Sequence, residues 1–183
     1  MAKCSVFIAT SLDGFISRKD GEIDWLNAAS ALVPQREDTG YGAFMSTVDA
    51  LVMGRNTFEQ VLSFDGEWPY DSTPVVVLSR TLKSLPDDVP ATVSVTSNDP
   101  AALVQRLSAD GLKHLYIDGG LTIQSFLAAG LIDEIIITTI PIILGGGKPL
   151  FGPLLDDVKL ELISGQAYDF GFVQSKYRVV KID

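Results

Sequence analysis

Apolar residues in this chain fall in short runs bounded by turn residues, alternating with stretches at helical spacing, and that alternation sets the order of elements. Ser5–Thr10 reads as a buried strand. Ser11–Pro34 shows no period, and Asp13-Gly14 and Asp20-Gly21 are turn signals within it. So long a loop in a compact domain is usually functional or disordered. Tyr41, Phe44, Met45 and Val48 at helical spacing predict a helix over roughly Gln35–Thr47. There follow a strand at Asp49–Met53, a helix at Asn56–Ser63, a strand at Pro74–Leu78 and a weaker one at Ala91–Val95. A helix at Pro100–Ala109 comes next, with Pro100 suited to its first turn and Asn98 or Asp99 to its cap. A strand at Leu115–Ile117 and a helix at Leu121–Ala129 complete the alternation. From Asp133 the helical pattern stops. Glu134–Ile143 is a long β-branched strand, and Val158–Ala167 and Val173–Lys181 read as an antiparallel pair joined around Asp169-Phe170-Gly171. The expected architecture is α/β: a mainly parallel central sheet flanked by helices, finished by a C-terminal antiparallel strand pair.

Two of the strands run straight into a glycine turn that opens a helix. Asp49–Met53 leads into Gly54-Arg55-Asn56-Thr57, and His114–Ile117 leads into Asp118-Gly119-Gly120-Leu121-Thr122. Helix N-termini carry unpaired N–H groups and partial positive charge, and glycine lets an anion approach the backbone closely. In open α/β sheets ligands bind outside the carboxyl ends of the strands, where both turns fall. Two such turns suit a pyrophosphate-bridged dinucleotide. Arg55 beside the first, and Ser79-Arg80 at the end of the next strand, supply a hydroxyl and two guanidinium forks of the kind a ribose 2′-phosphate requires. Neither turn matches the GxGxxG fingerprint, so the alternative is a pair of ordinary strand-to-helix turns.

Composition narrows the chemistry. The chain has 183 residues, which suits a single domain over 1–183, and no apolar run approaches a membrane span. Met-Ala-Lys-Cys-Ser begins a strand and lacks a signal pattern, so a cytoplasmic protein is expected. Cys4 and His114 are the only cysteine and histidine, which excludes an intrachain disulfide, a His/Cys metal cluster and a Ser-His-Asp triad. No metal is expected. Cys4 reads as a buried apolar residue of the first strand, and His114 as lying at the strand end far from the site. A net charge of −9 argues against a nucleic-acid or anionic membrane partner, so a phosphorylated ligand must be met by local donors. Catalysis must then use a bound cofactor with carboxylates, hydroxyls or lysines.

Five short motifs occur in one order along almost the whole chain: Ser11-Leu12-Asp13-Gly14-Phe15-Ile16, Val52-Met53-Gly54-Arg55-Asn56-Thr57-Phe58, Leu78-Ser79-Arg80, Ile117-Asp118-Gly119-Gly120 and Pro141-Ile142-Ile143-Leu144-Gly145-Gly146. In these the chain resembles the dihydrofolate-reductase-like superfamily. It is most similar to the reductase half of the bifunctional riboflavin-biosynthesis deaminase/reductase and its stand-alone bacterial relatives. The resemblance implies NADPH as cofactor, with Gly54, Arg55, Asn56 and Thr57 around the phosphate region and Arg55 near the 2′-phosphate. It places Ser79 and Arg80 at the adenosine end, Asp118, Gly119, Gly120, Leu121 and Thr122 at the pyrophosphate, and Ala9 and Ile16 at the nicotinamide. It also implies a cis peptide between Gly119 and Gly120 and a homodimer formed through the C-terminal strands, whose apolar faces along Glu134–Leu144 and Val158–Ala167 a partner would cover.

The substrate side departs from folate reductases. Trp25 resembles the family's loop tryptophan, but the carboxylate expected on the following helix is out of register, its place falling near Ser30 or Gly40. Glu37, Asp38 and Tyr41 lie close by, and one of them would give a proton or bind an aminopyrimidine edge; otherwise they form a solvated first helical turn. Asp24 is either a loop residue or a proton donor. The catalytic candidates are therefore Asp38, Asp24 and Tyr41. Thr138, Pro141, Gly145, Gly146 and Lys148 fall where the riboflavin reductases carry a substrate loop. Lys148 there either meets a sugar phosphate or faces water. The implied reaction is hydride transfer to a small pyrimidine- or pterin-type heterocycle, with 5-amino-6-(5-phosphoribosylamino)uracil as the candidate substrate. The HxE and PCxxC pattern of the deaminase half is missing. The competing readings are a dihydrofolate reductase and a dinucleotide-binding protein without turnover.

Overall fold

The fold is that of a computed structural model, which describes residues 1–70 and 72–181. At its centre lies β1 (Lys3–Ser11), between β6 (His114–Asp118) and β7 (Glu134–Ile140), parallel to both. Outward from β6 run β3 (Ala50–Gly54), β4 (Val75–Leu78) and β5 (Val93–Thr96), all parallel. Outward from β7 run β10 (Val173–Val179) and β9 (Leu160–Ala167), both pairings antiparallel. The eight-stranded order is β5-β4-β3-β6-β1-β7-β10-β9. A two-stranded ribbon of β2 (Phe15–Ser17) and β8 (Lys148–Pro149) lies apart from it.

Both faces of the parallel part are covered, which is why its strands carry unbroken apolar runs. On one face, α4 (Pro100–Ala109) and α5 (Gly120–Ala128) bury Leu103, Leu107, Ile123 and Phe126 against Cys4, Val6, Val52 and Ile117. On the other, α3 (Arg55–Leu62) and α2 (Tyr41–Met45) bury Phe58 and Phe44 against Met53, Val77 and Tyr116. Cys4 is fully buried, and burial pushes its thiol up to about 12. Asp99 caps α4 by accepting from the Ala102 N–H, and Pro100 opens the helix; such a cap contributes about 1 kcal/mol.

Three stretches differ from the pattern reading. The helix expected over Gln35–Thr47 is reduced to Tyr41–Met45, because Asp38 accepts from the Gly40 and Gly42 N–H groups and the chain turns left-handed at Thr39 (φ 54°) and Gly40 (φ 81°). Asp and Asn side chains compete with helix in this way. The supposedly irregular Ser11–Pro34 holds β2 and also α1 (Asp24–Ser30), whose Trp25 is buried against Ile140 and Phe172. The long strand stops at Ile140, because Pro141 has no N–H to extend the ladder and the chain turns, Ile142 donating to the Ile140 carbonyl. Contrary to expectation, β7 is interior and largely buried. The edge strand β9 is the exposed one, its Leu160, Leu162 and Ile163 all standing in solvent.

Candidate active site

The parallel strands all end at one edge of the sheet, and the candidate residues follow that edge in order. Thr96, Leu78, Gly54 and Asp118 close β5, β4, β3 and β6, and Ala9 pairs with Thr138 across β1 and β7. The ladder between β1 and β6 ends at Ser5↔Tyr116, whereas β1 stays paired with β7 as far as Ser11↔Ile140. The parting strands free the Phe7 carbonyl, which accepts from the Tyr116 hydroxyl at 2.8 Å. Chain order reverses direction about β1, with β6 on one side and β7 on the other, and beside it a ligand crevice is expected.

On the β6 side the two glycine turns interlock. A Cβ on Gly54 would meet Thr122 Oγ1 at 2.8 Å, and one on Gly119 would collide with the Thr57 hydroxyl. Gly119 also holds φ 88°, ψ 134°, a conformation that glycine adopts freely. No side chain caps α3 or α5. The first-turn N–H groups of Arg55, Asn56 and Thr57, and of Gly120, Leu121 and Thr122, therefore have no intrahelical acceptor and open side by side onto one groove. That groove, about 1550 Å³, runs from Arg80, Ser79 and Asn98 past Arg55 to Gly120 and Ile16. Arg55 donates to Thr81 Oγ1 at 3.0 Å and lies 3.4 Å from Glu59, with its guanidinium still exposed. Ser79 Oγ accepts from the Leu82 and Thr81 N–H groups, which fixes the turn that presents Arg80. The residues expected to hold a dinucleotide thus line one continuous groove, Ala9 and Asp118 excepted. The anion donors and glycine cradle fit a pyrophosphate with a further phosphate at the Arg55 and Arg80 end.

The peptide joining Gly119 to Gly120 is trans, and cis bonds are absent among the described residues, which corrects the resemblance-based expectation. The positive φ of Gly119 makes the strand-to-helix turn instead. Asp118 lies behind the turn, accepting from the Gly119 N–H at 2.8 Å, and burial pushes its carboxyl up to about 6. Burial, with the Asp118 field adding to it, also raises the phenols of Tyr41, Tyr70 and Tyr116. His114 stands at the opposite edge of the sheet, its Nε2 2.8 Å from Ser5 Oγ and its Nδ1 3.0 Å from the Thr47 carbonyl, as its place in the strand requires.

On the β7 side is a second cavity of about 430 Å³. Phe7, Ala9, Leu26, Ile140 and Phe172 give it an apolar floor, and Glu37, Asp38, Thr39 and Thr138 a polar wall. Gln174 on β10 braces that wall, its Nε2 donating to Thr138 Oγ1 and to the Thr39 carbonyl, both at 2.9 Å. The Gly40 and Gly42 N–H groups hold the Asp38 carboxyl below the usual range. Asp24 sits outside, exposed and gripped by Arg18 at 2.6 and 2.9 Å, and that pairing lowers its carboxyl as well. Tyr41 packs edge-on against Phe7, centroids 5.5 Å apart. Trp25 is buried in the neighbouring aromatic cluster and does not line the cavity.

The glycine loop borders the long groove rather than the second cavity. Among Pro141, Gly145, Gly146 and Lys148, only Lys148 lines either of these two spaces, and it is the long groove. Nor is this loop a free hairpin. Asp13 accepts from the Leu144 and Gly145 N–H groups and from Ser11 Oγ, Leu12 donates to the Ile142 carbonyl, Leu150 donates to the Gly14 carbonyl, and β8 pairs with β2. The loop after β1 is tied to α3 as well, through Gln60 Nε2 and the Gly21 carbonyl. Sequence reasoning missed Phe7, Leu26, Phe172 and Gln174, which lie on β1, on α1, in the connection before β10 and on β10, and carry no local motif.

Residues 2–173 match the family model described as the RibD C-terminal domain. The Bacillus subtilis protein YwjB is 34% identical over 178 residues, covering 94% of this chain and 98% of its own length. A Shewanella sp. PV-4 structure, described as a riboflavin biosynthesis protein, superposes with a TM-score of 0.92 at 45% identity, covering 99% of this chain and all of the other. The Thermotoga maritima diaminohydroxyphosphoribosylaminopyrimidine deaminase/5-amino-6-(5-phosphoribosylamino)uracil reductase superposes at 0.71 with 16% identity, covering 98% of this chain and 57% of the larger protein, and shares the fold. Among the described residues no helix is long and apolar enough to cross a membrane.

Proposed function

This chain belongs to the RibD C-terminal domain family, and from that membership and the site geometry we propose that it is a cytoplasmic NADPH-dependent reductase of a small pyrimidine- or pterin-type heterocycle. The observation that carries the reading is the order of groups along the sheet edge. Two guanidinium groups, two interlocked uncapped helix N-termini, a short apolar step at Ile16 and a heterocycle-sized cavity follow one another in the sequence of parts of a dinucleotide and its reaction partner.

The cofactor, when bound, supplies the hydride. The chain's part is positioning and electrostatics. Arg55 and Arg80 hold the 2′-phosphate end, and the amides of both glycine turns meet the pyrophosphate with Thr57 and Thr122. Ile16, Gly120 and the backbone at Ala9 bound the nicotinamide end. The second cavity holds the reacting heterocycle over Phe7, Ala9 and Thr138. Of the three proton-transfer candidates, Asp38 and Asp24 are kept ionised by their partners and suit acceptor or ion-pairing roles, while Tyr41 keeps its proton. The β2–β8 ribbon lines the Ile16 end of the groove through Ile16, Ser17, Lys148 and Pro149.

Titration with NADPH and with NADH, followed by nicotinamide fluorescence and energy transfer from tryptophan, tests the reading. Selective NADPH binding supports it, and an Arg55→Ala variant should weaken NADPH by tenfold or more with little change for NADH, the loss of about 1.4 kcal/mol or more that a charge-assisted phosphate contact gives. Binding of neither nucleotide would leave the turns structural and remove the proposal. The exposed apolar face of β9 supports a homodimer, and a sedimentation mass of a single chain at micromolar concentration would refute that part.

A further inference from the structure

The reductase reading leaves open which heterocycles enter the second cavity, and the cavity selects by charge. Its floor is apolar, and its ionisable wall is acidic, formed by Glu37 and Asp38. These acids are fixed in place. Asp38 Oδ1 and Oδ2 accept from Gly40 N–H at 2.9 Å and Gly42 N–H at 2.8 Å, and Glu37 Oε1 accepts from Thr39 N–H at 2.6 Å. Thr39, at φ 54°, is tied through its carbonyl to Gln174 and thence to Thr138. The segment therefore cannot easily swing its carboxylates away from an incoming anion. Thr138 is buried and its oxygen already accepts from Gln174, so its own proton remains to be given to a ligand acceptor.

Of the nearby cations, Arg36 is exposed beside the lining residues Gln35 and Glu37 without itself lining the cavity, and the others serve other places. Lys148 lines the long groove, and Arg18 is gripped by Asp24. Among the described residues no lysine, arginine or histidine lines the second cavity. A phosphate dianion on a substrate held there would face two fixed carboxylates, with unfavourable Coulomb energy at any dielectric. An N–H edge or a protonated ring nitrogen would meet the same carboxylates favourably.

We infer, resting on the reductase reading, that the heterocycle reduced by this chain carries no phosphate: the cavity takes an uncharged or cationic nitrogen heterocycle and discriminates against the phosphoribosylated form. A dephosphorylating reaction would then precede this one wherever the heterocycle is made as a nucleotide.

The test uses a matched pair, 5-amino-6-(ribosylamino)uracil and its 5-phosphate, with the full chain at saturating NADPH. Oxidation of NADPH gives kcat/KM for each, and equilibrium dialysis gives their binding. The unphosphorylated compound should be preferred by at least tenfold. The preference should shrink at 0.5 M NaCl, and Glu37→Gln should narrow it by threefold or more. Equal treatment of the pair, preference for the phosphate, or binding of neither compound to the NADPH-loaded protein would overturn the inference. NADPH binding is read separately by nicotinamide fluorescence: its loss counts against the reductase reading, whereas lost discrimination with NADPH binding intact counts against charge selection alone.

Discussion

Replacing Asp118 with Asn separates the energetic burden of a partly buried acid from its role as a spacer behind the glycine turn. In the folded chain burial pushes the Asp118 carboxyl from 3.8 up to about 6. The native state therefore holds a proton between roughly pH 4 and 6 that the unfolded chain has released, and stability falls as pH rises through that window. A displacement of about two on the pH scale, at ~1.4 kcal/mol for each, amounts to about 3 kcal/mol lost from the wild type once the pH exceeds the folded value. The substituted side chain would keep the oxygen that accepts from the Gly119 N–H, but its new amide nitrogen needs an acceptor, and an unmet one costs about 1–3 kcal/mol independently of pH. The absolute stability of Asp118→Asn is thus not the informative quantity. The difference between variant and wild type is, because every other titrating group is common to both and cancels. Urea unfolding of the two nucleotide-free proteins from pH 4 to pH 7.5 should show the variant gaining about 2 kcal/mol relative to wild type across the range, the rest of the loss lying below pH 4. A difference that stays constant from pH 4 to pH 7.5 would refute the reasoning, since it would mean that the carboxyl titrates alike in folded and unfolded chains.

Other expected outcomes follow from single contacts. Gly119→Ala should destabilise the fold by about 2 kcal/mol or more, since an L residue at φ 88° is strained and its Cβ would collide with the Thr57 hydroxyl; chemical unfolding at wild-type stability would contradict this. Asp13→Ala should free the glycine loop while leaving the core intact, raising amide exchange at Leu144 and Gly145 at least tenfold with an unchanged global unfolding midpoint; unaltered protection would show that the β2–β8 pairing alone holds the loop. In the wild type the Asp13 carboxyl lies below its usual range, chiefly through the Ser11 hydroxyl, so that protection should be present above the ordinary carboxylate value and lost only as pH falls through the lowered one.

Where a fold is written in local patterns, the sequence carries it, and the glycine turns are the clearest case. A run such as Ala50–Gly54 followed by Arg55-Asn56-Thr57 has few ways to fold other than a buried strand entering a helix, and the same holds from His114 to Thr122. That two such units stand side by side is a matter of topology, and only the pairing of Met53 with Asp118 makes their helix N-termini one cradle. The second cavity is largely illegible in the sequence for a related reason. Phe7 lies on β1, Leu26 on α1, Phe172 after β9 and Thr138 on β7, so no spacing in the sequence joins them. Asp38 shows both limits at once: its position beside Tyr41 suggests the first turn of a longer helix, yet its carboxylate bonds Gly40 and Gly42 and ends that helix before it starts. The same bonds that spoil the helix keep the carboxylate charged and facing the cavity. A local preference that overrides the helical period thus sets part of the acidic wall of the second cavity.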